Sequence, residues 1–276
     1  MVFLIVLLYY STFNTTFIWD DRTLIVNNTY IRSLKNIPFF FTLEYWKNHH
    51  LGGKTYRPLR TATFALDYYF WKFDQRGYHL TNLSLYILNC LLVYFLVLEL
   101  EKAAGRGESS SGFRGALLGV PLAAALLFAV HPIHTEAIVY IKNRSEMITM
   151  LFYQLSFLLF LKHLVARRSS AGTIAFLASL VCFVLSVISK ETAFSLPPML
   201  VLFVLLFTPR DRWRKLLLRT APFFVLALMY LVFKKTGMGA VAMYEDSFQS
   251  GPYYQLLSVF ITFGRYFKLL VFPVNL

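Results

Sequence analysis

Apolar stretches near the length of a bilayer crossing recur along this chain, at about 1–17, 79–98, 116–130, 147–166, 171–189, 193–208, 220–234 and 254–273. A crossing helix needs roughly 20 mostly apolar residues, because the hydrocarbon offers no water to satisfy backbone N–H and C=O groups. The recurrence excludes an ordinary soluble domain. Of 276 residues, 57% are hydrophobic and only 15% charged, where soluble domains carry about a quarter charged. The expected fold is all-α and polytopic, a bundle of about eight transmembrane helices with a long first outer loop. Pro121 and Pro197–Pro198 are expected to kink their helices or to sit near an end. The opening "MVFLIVLLYY" lacks a basic n-region and a small-residue cleavage site, so it does not read as a secretory signal. It is short for a crossing and is expected to be a helix whose beginning has been trimmed.

The formal net charge of +13 raises nucleic acid as a partner, but the basic residues are scattered among apolar runs and form no single patch. A membrane protein with basic cytoplasmic loops explains them better. Three short loops fit that side. One carries Lys102, Arg106 and Arg114, a second Lys162, Arg167 and Arg168, and the third is "PRDRWRKLLLR". By alternation, four segments face outward: residues 18–78, the turn "HPIHTEAIVYIKNRSE", the turn "SKET", and "KTGMGAVAMYEDSFQSGPYY". Ten of fourteen Asp and Glu residues then fall on the outer side, so titratable chemistry is expected there. The outer segment carries "IRSLKNIPFFF" and "FALDYYFWKF", read as short interfacial helices with aromatic and Lys residues at headgroup level. Cys90 and Cys182 lie inside apolar runs and read as packing residues.

Two adjacent acids, Asp20 and Asp21, stand in "FIWDD" where the first helix would emerge. Neighbouring carboxylates repel and resist dehydration, so they need an aqueous setting or a function. On the second span His79, Asn82, Tyr86 and Asn89 share one helix face. Glu146, Thr149, Tyr153 and Ser156 repeat that spacing. Such stripes either hydrogen-bond helix to helix or line a polar cavity. Candidate cavity-lining residues are His79, Asn82, His131, His134, Glu136, Glu146 and Glu191. Candidate ligands for a phosphate are Arg57, Arg60, Arg144, Lys190 and Arg265, with Arg offering bidentate geometry and Lys a point charge; Arg265 has snorkelling as its alternative. His131-x-x-His134 is a weak metal pattern. If a divalent ion is used, Asp20, Asp21 and Glu136 make an oxygen-rich set suited to Mg2+ or Mn2+.

These motifs resemble a known family. "FIWDD", "YRPL" followed by "FALDYYFW", "GYHLTNLSLYILNCLLVY", "LLFAVHPIHTEAIVYIKNRSEMITMLF" and "SKETAFSLP" are similar, in order, to the transmembrane and tetratricopeptide-repeat O-mannosyltransferases and their prokaryotic relatives, of the GT-C class. The resemblance implies that residues 1–276 form a membrane glycosyltransferase domain, incomplete at its C-terminus, with no repeat array. It implies a GT-C-like bundle and an inverting transfer of mannose or another hexose. The donor would be a polyprenyl-phosphate carrier and the acceptor a hydroxyl, of protein Ser/Thr or a glycan, on the extracytoplasmic face. The general base falls on Asp20 or Asp21, with Asp20 leading. A prokaryotic cell membrane is expected ahead of the endoplasmic reticulum. The competing classes are a multi-pass transporter, which places ionisable residues mid-membrane, and a non-catalytic lipid-binding subunit.

Overall fold

A computed structural model describes residues 1–48, 55–104, 119–166, 169–238 and 252–273. All regular structure among them is helical. The helices are α1 (Val2–Tyr9), α2 (Leu43–Asn48), α3 (Pro58–Trp71), α4 (Gln75–Ala103), α5 (Val120–Val130), α6 (Thr135–Val139), α7 (Arg144–Ala166), α8 (Ser170–Ser189), α9 (Leu196–Phe207), α10 (Trp213–Phe233) and α11 (Pro252–Val271).

Local chemistry explains where they start and stop. Asp74 caps α4 by accepting the Arg76 N–H at 3.0 Å, and Ser169 caps α8 by accepting that of Gly172 at 3.1 Å. Pro58, Pro121 and Pro197 occupy the first turns of α3, α5 and α9, where a missing N–H costs nothing. The expectation that Pro121 and Pro197–Pro198 mark helix ends is met. Pro132 halts α5, and the chain bends by 52° between Val120–Val130 and Pro132–Val139. Between α3 and α4 the chain reverses at Lys72, in the left-handed region at φ 53°. There Gly77 lets the helices close: a Cβ on it would lie 2.0 Å from the Trp71 ring.

Among the described residues, four helical segments are long and apolar enough to cross a membrane: Gln75–Ala103, Ile141–Ala166, Ser170–Ser189 and Arg210–Gly237, or five if the bent pair counts as one. The expected eight is therefore not confirmed. Val2–Asn14 and Glu191–Phe207 are shorter apolar helices. The helix at 252–271 is not among the candidates, and Ser258, Thr262, Arg265 and Lys268 interrupt its apolar sequence. Arg106, Arg114, Arg167, Arg168 and most of the outer stretch beyond Gly237 lie outside the described residues.

α7 and α8 pack most extensively, and α4 lies against α5 and α7. The first outer segment forms short helical turns, as expected of its aromatic stretches, around buried Phe40, Tyr45, Trp46 and Ile31. Trp46 donates its ring N–H to the Phe40 carbonyl at 2.7 Å. That cluster is continuous with Phe160, Phe183, Leu200 and Phe223 of the bundle. The outer segment is thus fixed on the helices and not a loose linker.

Candidate functional site

The acid pair docks on the segment between α6 and α7. Burying Asp21 (1% exposed) lets its carboxylate satisfy two backbone donors: Oδ1 accepts the Lys142 N–H at 2.8 Å and Oδ2 the Ile18 N–H at 3.3 Å. Burial pushes its pKa up to about 6; those N–H donors and the Arg144 charge pull the other way, while the charge of Asp20 adds to the rise. Asp20 is the opposite case. Its side chain stays 54% exposed and forms an ion pair with Lys142 Nζ, and its own N–H donates to the Tyr140 hydroxyl at 3.3 Å. Trp19, in the left-handed region at φ 43° and 81% exposed, packs edge to face with Tyr140, ring centroids 6.3 Å apart. A bulky residue at positive φ is strained, and the strain sits next to the acids. Asp21 fastens the turn; Asp20 projects from it.

Next along the chain, Asn143 donates to Glu136 Oε1 at 3.1 Å and begins the wall of a cavity of about 470 Å³. His134, Glu136, Glu146 and Lys190 supply its polar lining, together with Tyr86 and Asn89 of the α4 stripe. Phe128, Ile133, Met147, Met150 and Tyr266 supply the apolar side. Lys190 is ion-paired with Glu146. Burial lowers the Lys190 pKa, and the neighbouring Arg57 cation lowers it further. Arg57 donates to Ser145 Oγ at 3.5 Å, while its buried Nε has no hydrogen-bond partner. Arg57 and Lys190 are thus two cations held close enough to repel each other, one with an unused N–H and the other held by Glu146 at the cavity wall.

Several expected site residues have other tasks. Arg144, expected to hold a phosphate, is wholly buried. Its Nε donates to Asn82 Oδ1 at 2.7 Å and its Nη2 to the Tyr78 carbonyl at 2.9 Å, while Nη1 lies 2.5 Å from Asp67 Oδ2. The Oδ2 contact is ionic and not an aligned hydrogen bond; Oδ1 of Asp67 accepts from Thr81 at 2.7 Å. Every face of the guanidinium is engaged, including a stack over Phe64 at 4.9 Å. Arg144 is a clamp joining α3, α4 and α7. Asn82, expected in the cavity, is buried between Arg144 and the Ile138 carbonyl at 3.2 Å. His79, also expected there, is buried against Thr15 at 2.8 Å, tying the opening segment to α4. His131 accepts the Ile133 N–H and approaches the Leu270 carbonyl at 3.1 Å, so it shapes the bend and does not line the cavity.

Glu191 pairs with Lys234 at 2.6 Å and not with Lys190, and it too lies off the cavity wall. Arg60 is 2% exposed, in the electrostatic neighbourhood of Arg57 and both aspartates; burial lowers its pKa to about 9. Arg265 stands exposed on α11, away from the cavity lining. Of the expected residues, His134, Glu136, Glu146 and Lys190 do meet in one cavity. The polar stripes serve mainly as interhelical bonds: Tyr86 donates to the Phe128 carbonyl at 3.0 Å, Asn89 to that of Met147 at 3.0 Å, and Ser156 to that of Ser179 at 2.8 Å.

Asp20, Asp21 and Glu136 do not come together as a metal site. Among the described residues no three His, Cys, Asp or Glu side chains form a group able to hold an ion, and both aspartates are already engaged by Lys142. Sequence reasoning missed Lys142, Tyr140 and Asp67. Asp67 carried a readable signal, an acid within the aromatic run "FALDYYFW", which must find a cation when buried.

No family model matches the chain, and no solved structure matches it. Curated relatives do. The chain is 33% identical to human protein O-mannosyl-transferase TMTC2 over 191 residues, 67% of this chain and 21% of that protein. It is 32% identical to Drosophila melanogaster protein O-mannosyl-transferase Tmtc3 over 163 residues, 56% of this chain and 18% of that protein. A third relative, Caenorhabditis elegans protein O-mannosyl-transferase F38B6.6, is 29% identical over 169 residues, 59% and 22% of the two. The chain thus spans about a fifth of the length of these relatives. All three are animal proteins and lend no support to a prokaryotic origin. Over half to two thirds of its length, the chain is similar to protein O-mannosyl-transferases of animals.

Proposed function

We propose that this chain is the acid-bearing part of a membrane glycosyltransferase that moves mannose from a polyprenyl-phosphate carrier to a protein hydroxyl on the extracytoplasmic face. The observation that carries the reading is the division of labour in the acid pair. A buried Asp21 fixes the turn, and an exposed Asp20 pairs with Lys142, the residue before Asn143, which lines the cavity together with Lys190. The names of the relatives supply the sugar and the protein acceptor.

In this reading the acceptor oxygen attacks the anomeric carbon while Asp20 takes its proton. The bond to the carrier phosphate breaks, the phosphate leaves with the electron pair, and the anomeric configuration inverts. Arg57, with its unused Nε, and Lys190, exchanging Glu146 for phosphate, stabilise the leaving charge. Lys142 releases Asp20 as the acceptor arrives. Phe128, Ile133, Met147 and Met150 offer an apolar wall to the carrier chain. No step is routed through a metal, since the acids do not gather around one point.

The test is a reconstitution of the full chain in vesicles with mannosyl polyprenyl phosphate and an acceptor peptide, with and without EDTA. Asp20→Asn is expected to insert normally and to lose transfer by a factor on the order of a hundred or more. Transfer at the unmodified rate removes Asp20 as the base.

A further inference from the structure

At the end of the bundle away from the aspartates, the chain carries a second cavity of about 470 Å³. α7 starts at Arg144, beside the first site, and rises about 30 Å before reaching the second cavity at Leu164. α10 starts at the second cavity, and Lys234 immediately after it reaches Glu191 at the opposite end. Three cations line this cavity: Arg212, Lys215 and Arg219, spaced to share one side of the α10 entry. Among the described residues, no Asp or Glu lines it. Arg212 has only a loose contact of 3.9 Å to Asp211, with both side chains exposed. Among the described residues, Lys215 and Arg219 form no ion pair.

A soluble anion needs only the charges. Here Thr208, Pro209 and the apolar Leu164, Phe207 and Leu216 complete the wall, and Leu205, Leu206 and Leu218, close in sequence on α9 and α10, are exposed. Trp213, the kind of residue that settles at headgroup level, donates its ring N–H to the Thr208 carbonyl at 3.1 Å, with Arg210 stacked on it at 5.6 Å. No side chain caps the N-terminus of α10, which leaves backbone N–H groups turned towards the same end. The size falls within the range of small-molecule sites.

We propose that this cavity binds the headgroup of an anionic phospholipid from the leaflet opposite the catalytic end. The phosphate sits among Arg212, Lys215 and Arg219, and the acyl chains run along the leucine-rich flanks. The site does not depend on the transferase reading, because it shares no residue with the acid-bearing cavity.

The experiment places the full chain in equimolar phosphatidylglycerol and phosphatidylcholine, extracts it in mild detergent, and counts retained lipids by native mass spectrometry. Retained phosphatidylglycerol over phosphatidylcholine is expected. Removing one cation with Lys215→Gln should weaken retention about fivefold, and R212Q/K215Q/R219Q by on the order of a hundredfold. Arg212→Lys with Arg219→Lys, which keeps the charges, should retain most of it and controls for misfolding. Equal retention of the two lipids overturns the proposal, as does undiminished phosphatidylglycerol in the triple variant. Displacement by inorganic phosphate also overturns it, in favour of a soluble anion.

Discussion

Replacing Arg144 by Lys separates a structural clamp from a phosphate ligand. Lysine keeps the positive charge and can still meet Asp67, but its single Nζ cannot also reach Asn82 Oδ1 and the Tyr78 carbonyl, now bonded at 2.7 and 2.9 Å. The Tyr78 carbonyl keeps its intrahelical bond within α4, but leaving Asn82 Oδ1 unpaired costs ~1–3 kcal/mol, so Arg144→Lys should destabilise the bundle by about 2 kcal/mol. Asp67→Ala strands a guanidinium that is 0% exposed, and breaking a buried pair from one side costs ~3–5 kcal/mol. The double variant, with Arg144→Met on Asp67→Ala, removes the stranded charge. It should lose less than the losses of Arg144→Met and Asp67→Ala, measured singly, added together, by at least ~2 kcal/mol. Unfolding of detergent-solubilised protein by increasing sodium dodecyl sulfate, followed by tryptophan fluorescence, gives these differences. Arg144→Lys at unaltered stability with lost binding of mannosyl polyprenyl phosphate would refute the clamp and restore the phosphate role.

Gly77→Ala, normally favourable within a helix by up to ~1 kcal/mol, should reverse sign here, because the new Cβ meets the Trp71 ring at 2.0 Å. A loss of ~1–3 kcal/mol in the same unfolding assay is expected. Asp21 gives a pH dependence. Its folded pKa is raised to about 6 from 3.8, so the fold favours the protonated form, and that contribution fades as pH rises from about 4 to 6. Asp21→Asn, which does not titrate, should therefore gain on the native chain by roughly 2–3 kcal/mol between pH 4 and pH 7; a constant difference across that range contradicts the burial argument. Lys142→Ala breaks an exposed ion pair and should cost less than about 1 kcal/mol of stability, while changing the rate of sugar transfer. Stability loss with unchanged transfer would make Lys142 structural.

The spans were legible where hydropathy alone decides them: α4, α7, α8 and α10 fall on expected stretches. The bend after α5 was less so, because Pro132 was read as part of an outer turn and not as the break in a helix pair. The acid pair stood out as charge in an apolar setting, yet its partner did not. Lys142 is an ordinary turn residue, 122 positions away from Asp20, and only the packing of α6 and α7 against the opening segment brings it there. Arg144 misled for a related reason. Its charge was visible and its neutralising partner, Asp67, was not assigned. The same holds for Lys190 and Glu191, adjacent in sequence but paired with Glu146 and Lys234 from other elements. Charged residues announce that a partner exists without saying which one.

The central claim is that Asp20 accepts the acceptor's proton, and chemical rescue tests it most directly. Mannose transfer by Asp20→Ala is measured with and without added formate, whose carboxylate can enter the space the side chain leaves. The claim predicts a loss on the order of a hundredfold or more, partly restored in proportion to formate. Full transfer by Asp20→Ala without formate contradicts it.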